Sequence, residues 1–291
     1  MRLMLATVLA LLASCSPPAS RAPQDVAPAS VTSVQLYAMD CGRIHIDDAN
    51  DYADDNSQHG KPADLVDPCF LIRHPGGDLI WDTGLGDAIV GHPVDSGIYH
   101  ISVPARLVDQ LAQLHLTPAD IEYLSLSHSH FDHTGNAALF TNATWIVDAD
   151  ERSWMFRPEA RTDSDFAKVA PLEHARTQLI EGDGDYDVFG DGSVTIIQAP
   201  GHTPGHCVLL IRFARGAPVL LAGDMWHLPE SRTERLVPRF NTSRAQTLAS
   251  MDKLEALIAR THARVIRQHV PEDFAGLPRF PAALTEGAPA N

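Results

Sequence analysis

The stretch "SHSHFDHTG", Ser127–Gly135, places three histidines and an aspartate in the six positions from His128 to His133. Imidazole and carboxylate are the side chains that zinc, iron, cobalt and manganese accept as ligands. A solvated loop has no evident physical reason to concentrate them. His128 and His130 lie two apart, with Asp132 and His133 following, so a turn can direct four side chains toward two neighbouring ions. The preceding "YLSLSH" has the length and apolar character of a strand that runs into His128. An extended strand delivers its last side chain to the sheet edge, where ligands distant in sequence can converge on rigid supports.

Other strand-like runs end the same way. "VTIIQAP" leads to "GHTPGH" with His202 and His206, "LLAGD" ends on Asp224, and "RVIRQH" ends on His269. "VQLYAM", "CFLIRH", "DLIWDTG", "TWIVDA" and "CVLLIRF" are further strand candidates with turn-like neighbours. Helical spacing appears after Pro104, where Leu107, Leu111 and Leu114 share a face, and over Gln246 to Arg260, with Leu248, Met251, Leu254 and Ile258. Strands in both halves with helices among them predict an α/β layered domain over residues 31–291, its helices covering sheets.

The chain has 291 residues, 44% of them hydrophobic, which is enough for a full core. Its 37 Asp+Glu against 22 Lys+Arg give a formal net charge of −15, and no basic run interrupts that excess. Such a surface repels phosphate backbones, so nucleic acid is not expected as a partner. Arg2 precedes an uncharged stretch, Leu3 to Ala13, too short to span a bilayer but of signal-peptide length. "LASC", Leu12 to Cys15, resembles the bacterial lipoprotein box. Residues 1–14 are therefore expected to be an export signal of lipoprotein type, with membrane attachment through a lipidated Cys15 in the periplasm or at the outer membrane. Ordinary cleavage nearby, giving a periplasmic or secreted protein, is the alternative. Residues 15–30, rich in Pro, Ala and Ser, read as a tether. An oxidising periplasm permits a Cys41 to Cys69 bridge, though plain burial accounts for both as well, and Cys207 reads as the start of a buried strand.

His128, His130, Asp132, His133, His206, Asp224 and His269 resemble, in order and context, the metal ligands of the metallo-β-lactamase superfamily. The resemblance covers about residue 31 to residue 280 and implies an αββα sandwich holding two divalent metal ions, zinc by preference. His128, His130 and His206 would hold one ion, Asp132, His133 and His269 the other, and Asp224 would bridge them. His202 reads as a turn residue supporting this set. His45, His59, His74, His92, His100, His115, His174 and His262 read as packed or surface residues. The acidic run "DDANDYADD", Asp47 to Asp55, reads as a solvated loop near the site mouth.

Two ions so placed can hold a hydroxide at neutral pH and polarise a carbonyl or phosphoryl oxygen, which implies hydrolysis. The bridging Asp224 argues against an antibiotic-hydrolysing role. "LYAMDCGRIHIDD" from Leu36, "DPCFLIRHPGGDLIWDTG" from Asp67, "LVDQLAQLHLTPADIEYLSLSHSHFDHTGN" from Leu107 and "FNTSRAQTLASMDKLEALI" from Phe240 resemble the N-acyl homoserine lactonases. That resemblance implies a quorum-quenching lactonase acting on a small acyl lactone. Phe131 would face the lactone ring, and Asp132 would pass a proton to the leaving alkoxide. Some members carry a tyrosine three residues after the bridging aspartate; here His227 in "GDMWH" would hydrogen-bond the substrate carbonyl, with a strength that varies with pH near neutrality. Trp226, Met225, Ile98, Tyr99, Met155 and Phe156 are candidates for an acyl-chain groove, although core placement accounts for such residues more often. Monomer and homodimer both stay open. The competing readings are another dinuclear hydrolase, acting on a phosphotriester, thioester or β-lactam, and a metal-binding lipoprotein without turnover.

Overall fold

The computed structural model describes residues 31–287, so the expected signal segment, Cys15 and the tether lie outside the described residues. Within them the chain runs β1 (Gln35–Ile46), β2 (Ala63–His74), β3 (Gly77–Trp81), β4 (Val94–Ser96), β5 (Tyr99–Ser102), β6 (Tyr123–Ser125), β7 (Thr144–Asp148) and β8 (Thr177–Ile180). It continues through β9 (Tyr186–Asp187), β10 (Val194–Gln198), β11 (Cys207–Ile211), β12 (Val219–Leu221) and β13 (Arg264–Ile266). An eight-stranded sheet has the order β4-β5-β1-β2-β3-β6-β7-β8, and a five-stranded sheet the order β13-β12-β11-β10-β9.

Alternation along these strands builds the layers. Leu36, Phe70, Ile72, Leu79 and Trp81 of the first sheet meet Ile196, Leu209, Ile211 and Leu221 of the second in one buried cluster. Their neighbours point the other way. Tyr37, Met39, Leu71 and Ile80 pack with Leu107 and Leu111 of the helix Leu107–Gln113. Ile197, Val208, Leu210 and Leu220 pack with Met251, Leu254 and Leu257 of the helix Arg244–Thr261. The result is helix, sheet, sheet, helix, the expected sandwich. Ser243 caps the late helix by accepting from Gln246 N.

Some elements lack an apolar signature. β4 is exposed throughout, and only Ile180 of β8 is buried. The acidic run is also more than a loop: Ala49–Tyr52 forms a 3-10 turn in which Asp48 accepts from Asn50 N, and Tyr52 is buried. Cys41 and Cys69, on adjacent strands β1 and β2, form a disulfide, while Cys207 is free and buried in β11.

Candidate metal centre

The ligand candidates gather where strands of both sheets stop. The loop after β6 carries His128, His130, Asp132 and His133, and the segment after β3 pins it. Thr83 N and Oγ1 donate to the His133 carbonyl at 2.7 and 2.9 Å, and Gly135 N donates to Gly84 O at 2.7 Å. Asp82 takes a left-handed conformation, φ 56°, an uncommon one for a side chain with a Cβ. From there its Oδ1 accepts from Ser127 N at 2.6 Å and its Oδ2 lies 3.0 Å from His133 Nδ1. A partner on Nδ1 fixes the tautomer and leaves Nε2 as the ligand atom. Three other histidines are oriented in the same way. His128 Nδ1 lies 3.0 Å from Ser127 Oγ, His202 Nδ1 2.8 Å from Asn241 Oδ1, and His269 Nδ1 donates to Val66 O at 2.9 Å.

A first cluster consists of His128 Nε2, His130 Nδ1 and His202 Nε2, whose mutual separations are 2.9, 3.1 and 3.0 Å. With Nδ1 protonated on His128 and His202, their Nε2 lone pairs face each other, which only a cation or a proton between them makes favourable. Burial, reinforced by neighbouring histidines, holds His128 and His130 well below the usual imidazole range and disfavours the proton. Ligand nitrogens around a tetrahedral zinc at about 2.0 Å lie about 3.3 Å apart, so the triangle fits a cation.

The second cluster is Asp132, His133 and His269. His133 Nε2 and His269 Nε2 lie 3.0 and 2.9 Å from Asp224 Oδ1, and 3.9 and 3.8 Å from the Asp132 carboxylate. His133 Nε2 is buried without an aligned hydrogen bond, as a nitrogen shaped for a metal would be. Asp224 turns its other oxygen, Oδ2, to His202 Nε2 at 3.2 Å, His128 Nε2 at 3.5 Å and His227 Nε2 at 3.0 Å. Each cluster thus receives one oxygen of the same carboxylate. Burial alone would depress His269, but the carboxylates of Asp224 and Asp132 outweigh it and raise the imidazole to about 9. Burial would raise Asp224, and the surrounding imidazoles, His133 first, pull it well below the carboxylate range instead.

The expectation for the "GHTPGH" pair is reversed. His206 has no nitrogen to spare: Nδ1 donates to Ala199 O at 3.0 Å, and Nε2 accepts from Asp224 N at 3.0 Å. His202 takes the ligand position, and His206 instead holds the backbone of Asp224. Gly223 makes this approach possible, since a Cβ there, at φ 49°, would sit 2.7 Å from His206 Nε2. Trp226 is corrected as well, being 1% exposed in the core between the second sheet and its helix; Met225 lies in that core too, and Met155 in the one over the first sheet. His227 is placed at the site, where burial lowers its imidazole to about 4.

A cavity of about 810 Å³ opens beside the clusters. Asp132, Asp224, His227 and His269 reach it, and Tyr52, Leu65, Leu85, Tyr99, Ile101, Phe131 and Phe240 line its walls. Phe131 is 38% exposed. Tyr52 packs edge-on against His227 at 5.3 Å and Phe240 at 5.2 Å, a role hidden in its acidic surroundings.

A family model described as the metallo-beta-lactamase superfamily matches residues 65–263. N-acyl homoserine lactonase AttM of Rhizobium radiobacter is 32% identical over 265 residues, covering 86% of this chain and 98% of that protein. The chain belongs to the metallo-β-lactamase superfamily, in its N-acyl homoserine lactonase family. The family's AiiA from Bacillus thuringiensis subsp. kurstaki is 26% identical over 262 residues, 86% of this chain and 99% of that one. A solved N-acyl homoserine lactone hydrolase, with the product N-hexanoyl-L-homoserine at its catalytic metal centre, superposes with a TM-score of 0.73 at 26% identity. It covers 87% of this chain and all of that one.

Proposed function

We propose that this protein opens the lactone ring of N-acyl homoserine lactones by metal-dependent hydrolysis. The observation that carries the reading is Asp224, which faces a donor cluster with each oxygen at the base of an apolar-walled cavity of about 810 Å³. His128, His130 and His202 would hold one divalent ion and Asp132, His133 and His269 the other, with Asp224 shared; all-nitrogen and carboxylate donors suit zinc. Bound there, the pair would bring the pKa of a shared water toward neutrality and polarise the lactone carbonyl.

The chain's own residues supply the rest. When the ring C–O bond breaks, the departing alkoxide needs a proton, and Asp132, bordering the cavity next to Phe131, would pass it one taken from the attacking water. Phe131 offers the ring an apolar edge. His227 can present its Nε2–H to the substrate carbonyl only when Asp224 Oδ2 is engaged elsewhere, which is the condition two bound cations create. Export to the periplasm, with lipid attachment at Cys15, belongs to the same proposal. It is supported by the "LMLATVLALLASC" stretch and by a Cys41–Cys69 disulfide, a bond favoured outside the reducing cytoplasm.

The test is a substrate panel on purified, zinc-replete protein: short- and long-chain acyl homoserine lactones, a chromogenic cephalosporin, a phosphotriester and a glutathione thioester. Ring opening of the lactones, followed by proton release, should exceed turnover of the other three. Turnover of another class with inert lactones would replace the lactonase reading, and inertness toward all would leave a metal-binding protein.

A further inference from the structure

Away from the catalytic cavity, four strands carry a directly paired row of metal-ligating side chains. Asp95 of β4 pairs with His100 of β5, His100 with His45 of β1, and His45 with Asp64 of β2. Directly opposed residues share a face of the sheet. The outer carboxylates orient the imidazoles: His45 Nδ1 lies 2.7 Å from Asp64 Oδ1 and His100 Nδ1 2.8 Å from Asp95 Oδ1. Both Nε2 atoms consequently turn inward to one carboxylate, Asp47, just past the end of β1. His45 Nε2 is 3.6 Å from Asp47 Oδ1, and His100 Nε2 is 3.3 Å from Asp47 Oδ2.

We propose that His45, His100 and Asp47 form an additional binding site for a transition-metal ion, with zinc the expected occupant. A carboxylate on Nδ1 orients metal-binding histidines, and it does so here for two imidazoles whose Nε2 atoms face the two oxygens of one carboxylate, Asp47. The nitrogen-to-oxygen separations are close to the edge of about 3.3 Å expected around a zinc with bonds of about 2.0 Å. The rings are 5.7 Å apart, so the two imidazoles must draw together to grip an ion; with both side chains 44% exposed, nothing packed holds them apart. A recess of about 580 Å³, lined by His45, Asp64, Asp95 and His100, borders the row. Arg43 also borders it, but its guanidinium is paired with Asp40. Three carboxylates around two imidazoles give a negative pocket that a divalent cation would balance.

The site has a structural consequence for the neighbouring cavity. Val94, Ser96, Tyr99 and Ile101 of the same β4–β5 hairpin line the catalytic cavity. An ion bridging His100 to His45 would reinforce the pairing of that cavity wall with β1. This site stands whether or not the substrate is a lactone.

The experiment begins with protein whose catalytic centre is already zinc-loaded, titrated with further zinc in competition with a chromogenic chelator. The unaltered chain should take up one equivalent more than a His45→Ala/His100→Ala variant, and Asp47→Asn should bind that equivalent about tenfold more weakly. Copper(II) added to the zinc-loaded unaltered protein should show a paramagnetic signal with two nitrogen ligands, independent of how the variants fold. Equal zinc uptake by the unaltered and doubly substituted proteins, or no two-nitrogen copper signal, would mean that the row makes histidine–aspartate hydrogen bonds only and would overturn the proposal.

Discussion

His202 and His206 stand four residues apart in one turn, and the division of labour between them sets a sharp test. With both nitrogens of His206 engaged by Ala199 O and Asp224 N, His206→Ala should keep the ligand set but loosen Asp224. Metal affinity should fall by about 10- to 100-fold, with full occupancy recovered in excess zinc. His202→Ala removes a ligand, so metal content after dialysis should drop toward one ion per chain and stay there. Elemental analysis of both variants decides the matter; the opposite pattern would return His206 to the ligand set. "GHTPGH" offers two imidazoles without indicating which is free. The choice is made by backbone groups that sheet pairing brings in, Ala199 at the end of β10 and Asp224 after β12, and such groups leave no mark on the sequence nearby. Asp82 leaves no sequence mark for a similar reason, as its work on His133 depends on a left-handed backbone that "WDTG" does not announce.

At the scale of elements, the two metal-binding loops are tied together by a single side chain on the short helix Ala149–Met155. Asp148 caps that helix, accepting from Asp150 N and Glu151 N. Glu151, 1% exposed, accepts from Ser129 N at 2.7 Å through one oxygen, and from Thr203 Oγ1 at 2.6 Å and Gly205 N at 3.0 Å through the other. Ser129 lies between His128 and His130, and Thr203 follows His202, so this carboxylate sets the spacing of the first cluster. Gln in its place keeps the shape but turns an NH₂ toward one loop's donor, leaving an unpaired buried contact. Glu151→Gln should therefore weaken zinc binding by about 10- to 100-fold. Saturating zinc should restore kcat, because Glu151 touches no reacting atom. A kcat that stays low at full metal occupancy would contradict a purely positioning role. Strands β10, β11 and β12 were legible because both faces of each bury apolar residues. The β4–β5 hairpin was not, since it is too exposed to carry the alternation that marks a strand.

Across the whole molecule, the candidate centre lies on the seam between the sheets. The His128–His133 loop follows β6 of the larger sheet, whereas His202, Asp224 and His269 adjoin β11, β12 and β13 of the smaller one. Ions held there would be shared ligands of both sheets, favouring the folded chain because its unfolded form has no assembled site. At a free zinc concentration about a hundred times Kd, one site contributes about 2.7 kcal/mol. For a chain of this size about 1 kcal/mol moves Tm by roughly 2–4 °C, so one ion should account for about 5–10 °C. Stripping the protein with a chelator should lower Tm by at least that much, and returning zinc should restore it, with the Cys41–Cys69 disulfide intact throughout. Replacing Asp224, the carboxylate common to both clusters, by Ala should abolish most of the zinc-dependent shift. A stripped protein, verified free of metal, that melts with the loaded one would show that the sheets hold together without the ions and that the centre contributes chemistry alone.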